Sequence, residues 1–323
     1  SGVDSTGNTT AIAFGGNNGA ALTEEWNVST SVVTGGAWAS GGNMGTARST
    51  YEARSSAGTQ NASLAISGYT NANVTVVESY NGTAWSEIAD VNTARRDGAG
   101  AGSAASAIIF GGYISAASKL SEEWNGTGWA EGNDMVTARN AMSGVGVNSD
   151  AVLALAGSTN TRTANVESYN GTSWSEETDM NTVGPNCMGV GTQTAAIAAG
   201  GETGDGPTAS VKNESWDGTS WTEVNNLLQA KQTGSGMGTQ TAALVAGGIT
   251  PPGSTRTVNT QGWDGTSWST KPAISTARNE VVGSGTSSLG LIAGGNTGSP
   301  SNTTEEFTGD TVATGTAKSI DFD

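Results

Sequence analysis

NTARRDGAGAGSAASAIIFGGYISAASKLSEEWNGTGWAE, residues 92–131, carries four landmarks in order. Thr93-Ala94-Arg95 opens it. A stretch with Gly at alternate positions follows, GAGAG at 98–102. A continuous apolar run then ends in a Gly pair, AIIFGG at 107–112. Last come Glu122-x-Trp124, an N-G-T turn and Trp129. Each landmark reads as a short strand or the turn into one. Side chains alternate across a strand, so Gly at every second position bares one face for close packing. AIIF has no polar position on either face, the pattern of a strand covered on both sides. Asn-Gly tolerates the positive φ of a tight hairpin.

The phrase recurs along the chain. T-A-R or a variant starts at Thr46, Thr93, Thr137, Thr182, Ala230 and Thr276, and again at Thr316. The Gly-pair position falls at Gly15, Ser67, Gly111, Ala156, Gly200, Gly247 and Gly294, in steps of 44 to 52 residues. Units of that length suit four-stranded propeller blades. The expected fold is therefore all-β: a seven-bladed β-propeller of four-stranded antiparallel blades, one domain over 1–323. The blades fall at 1–43 plus 316–323, 44–90, 91–134, 135–179, 180–226, 227–273 and 274–315. The first unit lacks an innermost strand. Ser319–Asp323, just after the last T-A-K, is expected to supply it and so close the ring, since an open ring would leave unpaired edges.

Every unit has an aromatic in its third strand: Trp26, Tyr80, Trp124, Tyr169, Trp216, Trp263 and Phe307. Five residues later stands Trp85, Trp129, Trp174, Trp221 or Trp268. The first unit has Trp38 after an insertion, and the last has Val312. These aromatics are expected to fill the wedge between blades, because a residue present in every blade serves what every blade shares; a sugar-stacking platform is the alternative. Glu lies two residues before the aromatic at Glu24, Glu78, Glu122, Glu167, Glu214 and Glu305, with Gln261 in the remaining unit. Pairs with Arg48, Arg95, Arg139, Arg278 and Lys231, between or within blades, are the expectation. Glycosidase acids would come as one odd pair, not one per blade.

The Gly-ended second strand, the third-strand aromatic and the fourth-strand Trp resemble the Kelch repeat of galactose-oxidase-like propellers over essentially the whole chain. The five-residue step from aromatic to Trp is shorter than the usual Kelch spacing and implies a tighter turn between the third and fourth strands. NGTSWSE, GTQTAA and NTAR are also similar to Kelch-like repeats in virion and tail proteins of marine bacteriophages. That resemblance implies a virion-surface protein for attachment or decoration. The copper chemistry of galactose oxidase does not carry over, because the chain has no His. WDGTSW at 216–221 and 263–268 is near a sialidase Asp-box but reads better as a hairpin turn.

Composition narrows the function. Net charge is −16, which repels phosphate backbones and argues against nucleic acid as a partner. No apolar run approaches the ~20 residues of a membrane helix, so no membrane insertion is expected. Residue 1 is Ser, which fits a chain processed or cut from something longer. The absence of His excludes Ser-His-Asp and Cys-His catalysis, and the single Cys187 supplies neither a disulfide nor a zinc site, so it is expected to be buried. Glu202 to Asp205 is a conceivable Ca²⁺ segment but reads better as a solvated loop. No metal or cofactor is expected. Carboxylates at a channel mouth, Asp321 or Asp323, are the one route to catalysis left open.

Variation among units points to a face. The third-to-fourth-strand turn is nearly uniform, whereas the second-to-third-strand loops differ in every blade. Binding residues concentrate on loops held by a rigid scaffold. Candidate ligand contacts there are Tyr69, Tyr113, Lys119, Arg162, Asp205, Lys212 and Arg256; unconstrained solvated loops are the alternative. The expected function is a non-catalytic, surface-displayed binding module contacting a host-surface glycan or receptor, on a virion or otherwise extracellular. The alternatives are a capsid or tail decoration module contacting other virion proteins, and a glycan-active enzyme.

Overall fold

Six four-stranded antiparallel sheets account for most of the strands in a computed structural model that describes residues 11–13, 24–26, 30–50, 55–182, 184–203, 208–251 and 255–315. All six lie in one unit of the chain, Ala37–Thr308; a second unit comprises Ser1–Gly36 with Gly309–Asp323. No helix occurs among the described residues. Each sheet is a propeller blade read outward from its Gly-rich strand. Blade one runs Ser56–Thr59, Ala62–Tyr69, Asn73–Tyr80 and Trp85–Glu87. The innermost strands of blades two to six are Ala99–Gly102, Ser143–Val145, Met188–Thr192, Ser235–Thr239 and Val282–Gly285.

The expected close packing is what requires the glycines of these inner strands. A Cβ on Gly144 would lie 2.5 Å from the Gly100 carbonyl oxygen of blade two, and one on Gly100 would lie 2.7 Å from the Ser56 nitrogen of blade one. The second strands, such as Ala107–Phe110 and Val152–Leu155, are buried along their whole length. Six apolar clusters each join two successive blades. The last joins Val282, Leu291 and Ala293 of blade six to Ala65 and Tyr80 of blade one.

The blade count is six, not the expected seven. The outermost strand of blade six is Ala37–Ser40, which pairs with Thr304–Thr308 and sets Trp38 opposite Phe307. Those rings lie 5.2 Å apart, within the 5.0–5.5 Å of the equivalent pairs in the other blades. Trp38 thus supplies what Val312 lacks. Blade six in turn abuts blade one, leaving no gap for a seventh wedge: Ser56 Oγ donates to Gly283 O (2.9 Å), and Trp85 Nε1 donates to Thr304 Oγ1 (2.9 Å).

A cycle of backbone hydrogen bonds confirms the count. Thr50, Asp97, Ala141, Asn186, Thr233 and Glu280 each stand two places after the T-A-R arginine position. Each N–H donates to the carbonyl of the previous one, at 2.8–3.3 Å, and Thr50 donates to Glu280. All but Thr50 sit in the left-handed region, with φ from 53° to 62°.

In the smaller unit, Ala11–Ala13 pairs with Glu24–Trp26, and Thr30–Thr34 pairs with Thr311–Gly315. The expected first blade is therefore not assembled as a four-stranded sheet among the described residues, and 274–315 does not supply its own fourth strand. The proposed closing strand Ser319–Asp323 lies outside the described residues.

Candidate functional site

The expected Glu–Arg pairs form in blades one, two, three and six. Arg48–Glu78, Arg95–Glu122, Arg139–Glu167 and Arg278–Glu305 are buried, with N···O distances of 2.5–2.9 Å. Each arginine is a clip between blades. The carbonyl of Arg139 accepts the Gly112 N–H of blade two, while its guanidinium reaches Ala156 O, Asn165 O and Glu167 of blade three. These hydrogen bonds to both terminal nitrogens help offset the desolvation of a buried ion pair. These carboxylates are structural. The repeated aromatics are structural too: Trp129 Nε1 bonds Ala89 O of the preceding blade, and Trp221 Nε1 bonds Thr178 O. The WDGTSW segments are hairpins in which Asp217 and Asp264 accept backbone N–H groups of their own turns.

The loop face is built on the residue after each Gly pair. Tyr69, Tyr113, Ser158, Ile249 and Asn296 bridge to the residue after the T-A-R position of the same blade, namely Ser49, Arg96, Asn140, Gln232 and Asn279. Tyr69 and Tyr113 thereby occupy equivalent sites in blades one and two. Arg96 brings them together: its guanidinium carbon lies 4.4 Å from the Tyr113 ring centroid and 5.4 Å from that of Tyr69. Arg96 Nη1 donates to Asn73 Oδ1 (3.4 Å), and Asn73 Nδ2 donates to the carbonyls of Tyr113 (2.8 Å) and Ile114 (3.2 Å). Asp97 lies 3.6 Å from Arg96 Nε. All of Tyr69, Asn73, Arg96 and Tyr113 are half-buried. Cation–π contact and the amide hold the guanidinium in one orientation between the rings. The result is a polar–aromatic shelf across a blade boundary.

The other described candidates each pair with a residue of the propeller, the two lysines on its exposed surface. Lys119 pairs with Asp134 (3.1 Å) and Lys212 with Glu223 (2.9 Å). Arg162 reaches Glu202 of the next blade (2.6 Å). Arg256 donates to Asn279 Oδ1 (3.0 Å) and Asn296 Oδ1 (2.9 Å) of blade six. These two arginines therefore brace neighbouring blades. Glu202 also accepts from Asn186 Nδ2 (3.0 Å), and Asp205 lies outside the described residues, as do Asp321 and Asp323. Among the described residues no three His, Cys, Asp or Glu side chains converge as metal ligands. Cys187 is buried. Arg96 is not among the residues to which loop variation points, and Asn73 lies in a variable loop without being a named candidate. The signal for Arg96 is T-A-R-R at 93–96, where the other T-A-R phrases continue with Ser49, Asn140 or Asn279.

An axial cavity of about 320 Å³ lies between the six inner strands, among Ala57, Ala101, Val145, Val190, Met237 and Ser284. Its lining contains only Gly, Ala, Ser, Thr, Val and Met. It reaches Thr59, Ser103, Val147, Thr239 and Thr286, at the first-to-second-strand turns, which by blade topology is the end away from the variable loops. No group in the lining has a pKa suited to acid–base chemistry. No protein-family model matches the chain, and no curated protein is similar to it.

Proposed function

We propose that this chain is a non-catalytic recognition module, a Kelch-type propeller displayed on a virion or other extracellular surface, that attaches to a host-surface glycan or receptor. The supporting observation is the Tyr69–Arg96–Tyr113 shelf. Aromatic faces stack on sugar rings, and a fixed guanidinium with a neighbouring amide offers directed donors to hydroxyl or carboxyl groups. The Kelch relationship draws support from the recurrent tilted contact between third-strand aromatic and fourth-strand Trp. Screening the full chain on a glycan array and on host cells tests the reading. Arg96→Ala and Tyr113→Ala are each expected to weaken binding ten-fold or more, an effect of at least ~1.4 kcal/mol, while Lys119→Ala leaves it unchanged. Absence of any binding, or binding indifferent to both shelf substitutions, sinks it.

A second reading, a decoration or assembly module, is favoured by the use of Arg162 and Arg256 as interblade braces, which makes those loops structural. A stable stoichiometric complex with a capsid or tail protein, unaffected by the shelf substitutions, selects it.

A further inference from the structure

The arginine clips of blades two, three and six share one set of acceptors. In blade two, Arg95 Nη1 donates to Gly111 O (3.1 Å) and Leu120 O (2.9 Å), and Nη2 donates to Glu122 Oε1 (2.6 Å). The backbone N–H groups of Asn92 and Thr93 hold the two carboxylate oxygens from the other side.

Blade four keeps this arrangement without the arginine. Gly184 occupies the arginine's place in the phrase. Glu214, 2% exposed, accepts from Asn181 N (2.7 Å), Thr182 N (2.6 Å) and Asn181 Nδ2 (2.8 Å). The strand register is the same: Ala198 faces Glu214 as Ile109 faces Glu122. Gly200 N–H donates to Lys212 O (2.8 Å), as Gly111 N–H does to Leu120 O (2.9 Å). Gly200 O and Lys212 O therefore stand to Glu214 as Gly111 O and Leu120 O stand to Glu122. Among the described residues no cationic side chain reaches Glu214; Lys212 turns instead to Glu223. A Cβ on Gly184 would meet nothing closer than 3.7 Å.

We propose that blade four binds a guanidinium group from outside the chain, held by Glu214 Oε1, Gly200 O and Lys212 O. A buried carboxylate without a cation is costly, so the site favours a positive charge. One carboxylate matches one charge. Calcium takes six to eight oxygens, usually from several carboxylates, so a divalent ion is a poor match. The acceptors are laid out for a planar fork of N–H donors, which a guanidinium presents and an alkali ion does not. At the sister site of blade two, a small surface pocket reaches Arg95 and Glu122. The group can be a free guanidinium ion or an arginine side chain offered by another molecule.

Thermal unfolding of the full chain at constant ionic strength tests this, with guanidinium, arginine amide or tetramethylammonium added at low millimolar concentration. Ligands that bind the folded state raise Tm saturably. Guanidinium is expected to raise it and tetramethylammonium, which has no N–H, is not. A response to arginine amide as well shows that a side chain can enter; a response to guanidinium alone restricts the site to the free ion. Gly184→Arg is expected to raise Tm unaided and abolish the response. Should that variant not fold, Glu214→Gln must abolish it instead, and calorimetric titration of the unmodified chain must give one site. A flat Tm with guanidinium, or a response that survives in the variants, overturns the proposal.

Discussion

Lys231 stands where four other blades have a buried arginine, and its blade carries Gln261 in place of the glutamate. Its ammonium is fully buried and donates to Asn259 O (2.9 Å). The Gln261 amide is engaged by Leu228 N–H, Gln229 O and Asn259 Oδ1, none of them charged. Burial alone therefore pushes the Lys231 pKa down to about 7. Between that value and the ordinary value near 10.5, the unfolded chain holds a proton that the folded chain does not, so stability rises with pH across the window. Tyr80 and Tyr169 act oppositely above pH 10. Burial, followed by hydrogen bonds to Glu306 and Glu123, raises the Tyr80 pKa to about 12 and that of Tyr169 further. Those phenols stay protonated in the fold when the unfolded chain has lost the proton, and stability falls. Urea unfolding is thus expected to show stability rising by on the order of 3 kcal/mol from pH 7 to 10, at about 1.4 kcal/mol per unit of pKa separation, and then declining. Lys231→Met should flatten the rise and keep the decline. An unchanged rise in that variant refutes the assignment.

Among the elements, the strand Ala37–Ser40 decides where the ring is fastened. It is short and mostly exposed, yet it sets Trp38 against Phe307 and joins blade five through Trp38 Nε1 to Pro272 O (3.0 Å). Fourth strands elsewhere are equally short, at three or four residues, and carry Glu87, Glu131, Glu176, Glu223 or Lys271, charges that discourage edge-to-edge pairing. Their hold on the blade is the tryptophan, not the backbone ladder alone. Trp38→Ala is expected to destabilise by about 3 kcal/mol, near the lower end of the range for aromatic truncation because Trp38 is half-buried. Leu228→Ala, on an exposed side chain, should change stability by no more than about 0.5 kcal/mol. Equal effects in the two variants count against the fastening role.

For the whole molecule, the cycle from Thr50 through Glu280 couples all six blades at one place. A non-glycine residue in the left-handed region costs on the order of 1 kcal/mol, and Thr233, β-branched at φ 53°, is the most strained. That cost is tolerated because each N–H of the cycle has its partner only when both neighbouring blades are in position. Native-state hydrogen exchange should therefore show these six amides exchanging together, with the free energy of global unfolding. Separate, faster exchange of one or two of them contradicts a cooperative ring.

Strand identity, four strands per blade, the close-packed glycines and the Glu–Arg clips were all legible in the chain, because each is enforced by neighbours within a unit or one unit away. The shelf was half legible: Tyr69 and Tyr113 show in the loops, but Arg96 reaches them from another segment. The blade count was not legible, because the sequence is degenerate at its ends. Tyr80 and Tyr169 each donate to a glutamate of the preceding blade, Glu306 and Glu123, which stand just before a third-strand aromatic; at that place the other blades have Ser79, Ser168, Ser215 or Gly262. Both Glu25 and Glu306 fit Tyr80, and Trp38 suits Trp26 as well as Phe307. Local pattern determines what a blade is made of. Which copy of a strand fills a slot is decided only when the inner strands come into contact and set how many wedges fit, and there Glu306 meets Tyr80 and Phe307 takes Trp38.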